Sequence, residues 1–258
     1  MSLAEQTTGP PRPGARVSIQ EFEPRPKAEL KLYCLPHAGG SCTSYHPWLR
    51  RLPARVALRG VQLPGRPHLM DVPSFTSLTD LARATATAVL KDAGGVPFAL
   101  FGHSMGGLAA YETTVELVQR GDHVPRLLAL SAVAAPHRRR PTPPLHLLPE
   151  AELIARVRKL GGIPDEILDV PELLELTIPL LRADFAMMHR HTHKSRGHLP
   201  TPLSVFGGTE DPGADAAQLA DWAKLTRGAC SVRTFPGGHF YLNERTDAVL
   251  AALLEDLF

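Results

Sequence analysis

The chain has 258 residues with 28 Lys and Arg against 26 Asp and Glu, a formal charge of +2. That length can bury a sizeable core without disulfide or metal staples, and a charge so close to balance excludes the clustered basicity of a nucleic-acid binder. Three cysteines, Cys34, Cys42 and Cys230, form no CxxC pair, and the odd number leaves at least one free thiol, so a reduced, cytoplasmic protein is expected. No apolar run reaches the ~18 residues of a membrane span. Residues 1–16 carry no apolar signal-peptide core and read as a flexible lead, with residues 17–258 as a single domain.

After the lead, apolar runs alternate with segments of helical period, the pattern of a parallel sheet covered by helices on both faces. The expected strands are Leu30–Leu35, Val56–Leu63, Phe98–Phe101, Arg126–Val133, Leu203–Phe206 and Cys230–Phe235, most of them apolar on both faces. The expected helices are Tyr45–Arg51, Leu78–Lys91, Gly106–Arg120, Ala214–Thr226 and Thr246–Leu257. The interval between the fourth and fifth strands is far longer than one crossover helix needs. Its stretch from Pro141 to Met188 offers short helices punctuated by Gly161, Gly162, Pro164, Pro171 and Pro179, and predicts a helical cap over the strand ends, spanning about residues 137–195.

Gly102-His103-Ser104-Met105-Gly106 follows one of these strands directly and opens a helix. A strand-to-helix turn this tight admits only small residues two before and two after a nucleophile, which leaves the Ser104 hydroxyl exposed above the sheet edge. Serine alone is a poor nucleophile and needs a base and a group to orient that base, in the chain order serine, acid, histidine for this architecture. Asp211 in Gly207-Gly208-Thr209-Glu210-Asp211-Pro212 and His239 in Pro236-Gly237-Gly238-His239-Phe240 follow two successive strands and fill those places. Glu210, Asp215 and the more distant Asp184 compete with Asp211 for the acidic role. The oxyanion hole is expected from the N–H of Met105 and one in the loop Pro36-His37-Ala38-Gly39-Gly40, with Ala38 preferred. His37 is read as a prop for that loop, because its place in the chain order does not suit the base.

These motifs resemble a type II thioesterase, a free-standing α/β-hydrolase of polyketide and nonribosomal peptide biosynthesis. The resemblance runs from about Leu30 to the carboxyl terminus and rests on PHAGG with Trp48 after it, Gln62-Leu63-Pro64-Gly65-Arg66, GHSMGG, the phrases GGIPDEIL and LLRADF, GGTEDP and GGHFYL. It implies an α/β-hydrolase fold, a triad of Ser104, Asp211 and His239, and acyl or peptidyl carrier proteins as partners. The expected reaction is hydrolysis of acyl thioesters through an acyl-enzyme, clearing aberrant acyl groups from an assembly line. No dissociable cofactor is implied, since phosphopantetheine enters as part of the substrate, and a monomer is the family-like default. Two stretches depart from the family pattern: Met187 to His198 (MHRHTHKSRGH) and the run PHLMDV after Arg66.

A small-molecule carboxylesterase or acyltransferase on the same scaffold, and a non-catalytic binding module, stay as alternatives. The histidines His189, His191, His193 and His198 are read as a solvated, partly cationic loop in preference to a metal site. Arg138-Arg139-Arg140 is read as a solvated loop before a steering patch for an acidic carrier domain.

Overall fold

The structure is a computed structural model that describes residues 14–138, 144–162 and 170–258. Its frame is a seven-stranded sheet: β1 Ser18–Glu21, β2 Leu30–Leu35, β3 Val56–Gln62, β4 Phe98–His103, β5 Leu128–Ser131, β6 Leu203–Gly208 and β7 Cys230–Phe235. The spatial order is β1-β3-β2-β4-β5-β6-β7. Only β1 runs antiparallel to its neighbour, and the other pairs are parallel. Among the described residues no helix is long and apolar enough to cross a membrane.

Alternation along the central strands builds two cores. Tyr33 and Leu35 of β2 and Phe98 and Leu100 of β4 face one side, with α1 (Leu78–Ala93) and α2 (Met105–Arg120). Leu30, Leu32 and Cys34 of β2, with Ala99 and Phe101 of β4, face the other. That second side is closed by Trp48 of a 3-10 helix (Cys42–Arg50) and by the C-terminal helix Thr246–Leu257. Both sides of these strands are buried, as a helix-covered parallel sheet requires.

Several boundaries differ from expectation for identifiable reasons. The short polar β1 is added at the sheet edge, where half-exposed residues leave no apolar pattern. The expected helix at Tyr45 is a 3-10 helix that starts at Cys42, with Ser41 as its cap and Pro47 inside. The expected Ala214–Thr226 helix divides into α5 (Ala216–Ala220), started by a capping box of Asp215 and Gln218, and a 3-10 turn Asp221–Leu225. Between β5 and β6 lie α3 (Glu150–Leu160) and the 20-residue α4 (Pro171–Arg190). Pro171 starts α4 at a position where no N–H is needed. Pro179 sits inside the helix without ending it, flanked by Ile178 and Leu181, which pack with Leu153 and Val157 of α3. Pro164 and most of GGIPDEIL lie outside the described residues, as do residues 1–13 of the lead.

Arg25 ties the start of β3 to the preceding helix. Its guanidinium donates to the carbonyls of Leu49, Leu52, Pro53 and Val56 at 2.7 to 3.1 Å. Truncation leaves several partly buried acceptors unpaired, each costing on the order of 1 kcal/mol. Arg25→Ala should therefore lower unfolding stability by about 2–3 kcal/mol, read from urea midpoints, with activity per folded molecule unchanged because Arg25 lies at the opposite end of the strands from Ser104.

Candidate active site

The chain passes from β2 outward to β3 and then returns to place β4 on the other side of β2. Strand order reverses there, and the loops leaving the carboxyl ends of β2 and β4 diverge around a crevice, the place where open α/β sheets hold ligands. Pro36–Gly40 leaves β2 and Ser104 leaves β4.

Ser104 adopts φ 55° and ψ −117°, a left-handed conformation that a serine occupies at a cost. Two contacts compel it. A Cβ on Gly102 would stand 2.1 Å from the Gly106 carbonyl oxygen, and one on Gly106 would stand 2.2 Å from that of Leu35. Backbone therefore packs on backbone, and the turn is fixed by the absence of side chains on either flank. A serine at a helix N-cap ordinarily accepts an N–H of the first turn. Ser104 makes no such bond, and its Oγ lies 2.9 Å from His239 Nε2.

His239 follows β7, and its Nδ1 lies 2.8 Å from Asp211 Oδ2. Asp211 follows β6, its side chain is fully enclosed, and its other oxygen accepts the Gly213 N–H at 2.8 Å. The two loops fit closely because Gly208 has no side chain; a Cβ there would meet the Gly238 carbonyl oxygen at 2.3 Å. A carboxylate on Nδ1 keeps the ring proton there and leaves Nε2 to accept the Ser104 proton. Of the competing carboxylates, Asp215 caps α5 and Glu210 is exposed. Asp184 is buried against Arg66 and away from His239.

The N–H groups of Met105 and Ala38 donate to no acceptor among the described residues. The N–H groups of the next two loop residues are occupied, that of Gly39 by Asp184 Oδ2 at 2.8 Å and that of Gly40 by the His37 carbonyl at 3.0 Å. The His37 ring lies under Gly40 and edge-on to Phe240, with centroids 4.8 Å apart. Burial, then the charges of His239 and Arg66, pushes its pKa down to about 4, so it stays neutral.

A polar network beneath the serine was not evident from the sequence. His103 Nδ1 meets Ser131 Oγ at 2.9 Å, and Ser131 Oγ meets the Tyr241 hydroxyl at 2.7 Å, while the Ser131 carbonyl accepts the Ser104 N–H at 2.8 Å. Burial pushes the His103 pKa well below 6.5, followed by the charges of His239 and His37. Beside Ser104 opens a cavity of about 370 Å³ lined by Ala132, Val133, Ala134, Met188, Pro212 and Gly213, among others.

The histidine-rich stretch is a loop whose His189 and His198 ends are exposed, as expected, but its middle is tied to the core. His189 belongs to the last turn of α4. His191 Nε2 lies 3.2 Å from Glu112 Oε1, with both side chains almost wholly buried, and Arg196 Nη1 reaches Glu112 Oε2 at 3.1 Å. A glutamate inside α2 draws the segment onto the core, because a buried carboxylate needs partners. Among the described residues no group of three or more potential metal ligands occurs. Arg138 pairs with Asp221 at 2.7 Å; Arg139 and Arg140 lie outside the described residues.

A strained serine at a strand-to-helix turn, with histidine and aspartate on the following strand ends of a mostly parallel sheet, defines an α/β-hydrolase. The chain belongs to the thioesterase-domain family, which it matches over residues 30–257. It is 34% identical over 227 residues to thioesterase PikA5 of Streptomyces venezuelae, covering 88% of this chain and 80% of that one. It superposes with a TM-score of 0.85 on the type II thioesterase BorB from the borrelidin biosynthetic cluster, with 34% identity over 93% of this chain and 98% of BorB. The RedJ thioesterase of the prodiginine pathway in Streptomyces coelicolor gives the same TM-score, with 35% identity over 91% and 88% of the two chains.

The neutral state of His103 sets an acid limit on stability. Unfolded, a histidine takes up its proton near pH 6.5; folded, His103 does not, so stability falls as pH drops below 6.5. His103→Asn should be less stable than the parent at pH 8 but flatter on acidification. The slope difference approaches ~1.4 kcal/mol per pH unit between pH 6 and 5, the value for one proton, in urea titrations at stepped pH.

Proposed function

We propose that this thioesterase hydrolyses acyl groups held on the phosphopantetheine arm of acyl or peptidyl carrier domains, with Ser104, His239 and Asp211 as its triad. The observation that carries the assignment is the unbroken line from Ser104 Oγ through His239 to Asp211, at 2.9 and 2.8 Å.

Ser104 Oγ attacks the thioester carbonyl carbon while His239 Nε2 takes its proton. Asp211 keeps the imidazole in the required tautomer and stabilises the imidazolium. Negative charge develops on the carbonyl oxygen, toward the free N–H groups of Met105 and Ala38 and the amino terminus of α2. Collapse expels the pantetheine thiolate, which takes the proton from His239. Water then enters, loses a proton to His239, attacks the acyl-enzyme carbonyl, and the carboxylic acid departs as Ser104 is reprotonated.

The cavity beside Ser104 is the place for the acyl group, with Met188 of α4 as one wall. No step calls for a dissociable cofactor, because the pantetheine arm arrives with the carrier. The same reading makes the protein a cytoplasmic monomer, in keeping with its free thiols at Cys34, Cys42 and Cys230. Clearance of aberrant acyl groups is the role that suits it, by likeness to BorB and RedJ, which are named as thioesterases of biosynthetic clusters.

The decisive experiment incubates the enzyme with a panel of acyl-loaded carrier proteins and follows them by intact mass. The expected result is loss of the acyl group, with Ser104→Ala slower by ~10³-fold or more. Turnover of a nitrophenyl ester that exceeds every carrier thioester by orders of magnitude in kcat/KM would overturn the carrier assignment. Undiminished turnover by Ser104→Ala would overturn the mechanism.

A further inference from the structure

Resting on the reading above, we infer that Asp184, on the inserted helix α4, is a positioning residue for the oxyanion loop, locking Ala38 in place through Gly39 and Arg66.

Asp184 belongs to a helix inserted between β5 and β6, yet it touches the loops that follow β2 and β3. Its Oδ2 accepts the Gly39 N–H at 2.8 Å and pairs with Arg66 Nη2. The guanidinium is spent wholly on this junction, with Nε donating to the Gly40 carbonyl at 3.1 Å and Nη1 to the Pro64 carbonyl at 2.9 Å. The two side chains are 6% and 3% exposed, so the pair sits in a medium where a lost partner is costly. The fit around them is close. Gly39 has φ 74°, and a Cβ there would stand 2.5 Å from Leu181 Cδ2; a Cβ on Gly65 would stand 2.4 Å from Leu180 Cδ2. Leu180, Leu181 and Asp184 form one face of α4 by helical spacing, and that face lies on both glycine turns.

The chemistry of the loop gives this a purpose. Of its successive N–H groups, those of Gly39 and Gly40 are turned away into bonds, and that of Ala38 is left to a ligand. An oxyanion donor acts only when held within a few tenths of an ångström of its place before the charge develops. Here the hold comes from bonds on the two residues that follow Ala38, and their partners stand on α4 and after β3. A pair that served stability alone could stand anywhere in the core; this one holds the two residues next to the donor.

The test compares Asp184→Asn, which keeps an acceptor for Gly39, with Asp184→Leu, which removes it, and with the double variant Arg66→Met/Asp184→Leu, which removes both charges and keeps the volume apolar. Each is measured for kcat and KM on an acyl thioester and for affinity toward an acyl trifluoromethyl ketone, whose adduct with Ser104 carries an oxyanion. The matching alkyl methyl ether, which has no carbonyl and forms no adduct, serves as a control. Asp184→Leu should lose about 10- to 100-fold in kcat and in ketone affinity, with KM and ether affinity within about threefold, and Asp184→Asn should recover part of that loss. The double variant should regain thermal stability but not ketone affinity. Full recovery of kcat in the folded double variant, kcat within twofold of the parent for Asp184→Leu, or parallel loss of ketone and ether binding would overturn the inference. Ketone affinity reads the loop even if carrier thioesters prove not to be the substrate. A parent enzyme that binds the ketone but spares every carrier thioester would defeat the proposed function alone.

Discussion

The structure depends on one steric constraint, the contact of backbone with backbone where β4 turns into α2 beneath the end of β2. Gly102 and Gly106 leave no room for a methyl group, and the Leu35 carbonyl lies against the start of the helix. This approach forces Ser104 into positive φ and turns its hydroxyl away from the helix end toward His239. It also brings the first N–H of α2 beside the loop that leaves β2, so one packing event sets both the Ser104 hydroxyl and the N–H groups near it. The strain on Ser104 is borne by the sheet, since β4 is flanked by β2 and β5 and buried on both faces.

Around that turn the protein gives its histidines different partners. His37 and His103 are enclosed without a carboxylate and stay neutral, while His239 alone faces Asp211. The two neighbours of His239 thus present a neutral wall beside the His239–Asp211 pair. The same two rings serve as packing: His37 fills the space under Gly40, and His103 anchors Ser131 and, through it, Tyr241. Tyr241 sits two residues beyond His239, so the network beneath Ser104 also supports the turn that carries His239.

Much of this was legible in the sequence because its signals are local. Short runs apolar on both faces give the central strands, and GHSMG after a strand and before a helix gives the elbow, from neighbours in the chain alone. The places of Asp211 and His239 follow from chain order and from strands that mark themselves. What escaped depends on pairing across the fold. Asp184 and Arg66 are 118 positions apart, and no period links them. Glu112 looks like an ordinary polar residue of an amphipathic helix until its partners His191 and Arg196 are seen. In the histidine-rich loop the exposed His189 and His198 fit the composition, while the anchoring of His191 and Arg196 does not show in it, since composition says nothing of a buried carboxylate that attracts the segment. Pro171 and Pro179 suggested breaks because proline weakens a helix locally, whereas the packing of Ile178 and Leu181 on α3 outweighs that preference.

The inserted helix is accordingly more than a cover. Leu181, Asp184 and Met188 stand at i, i+3 and i+7 along α4, which places them on one stripe of the helix. At one end of the stripe Leu181 and Asp184 rest on the loop that carries Ala38; at the other, Met188 lines the cavity beside Ser104. A rigid helix cannot shift one end of such a stripe without the other. The wall of the cavity and the contacts to the loop of Ala38 are thus parts of one element, and a change in the shape of the cavity made by moving α4 carries a cost at the loop. The cavity is then most easily reshaped by side-chain size at Met188, or at Ala132, Val133 and Ala134, where the backbone of α4 need not move.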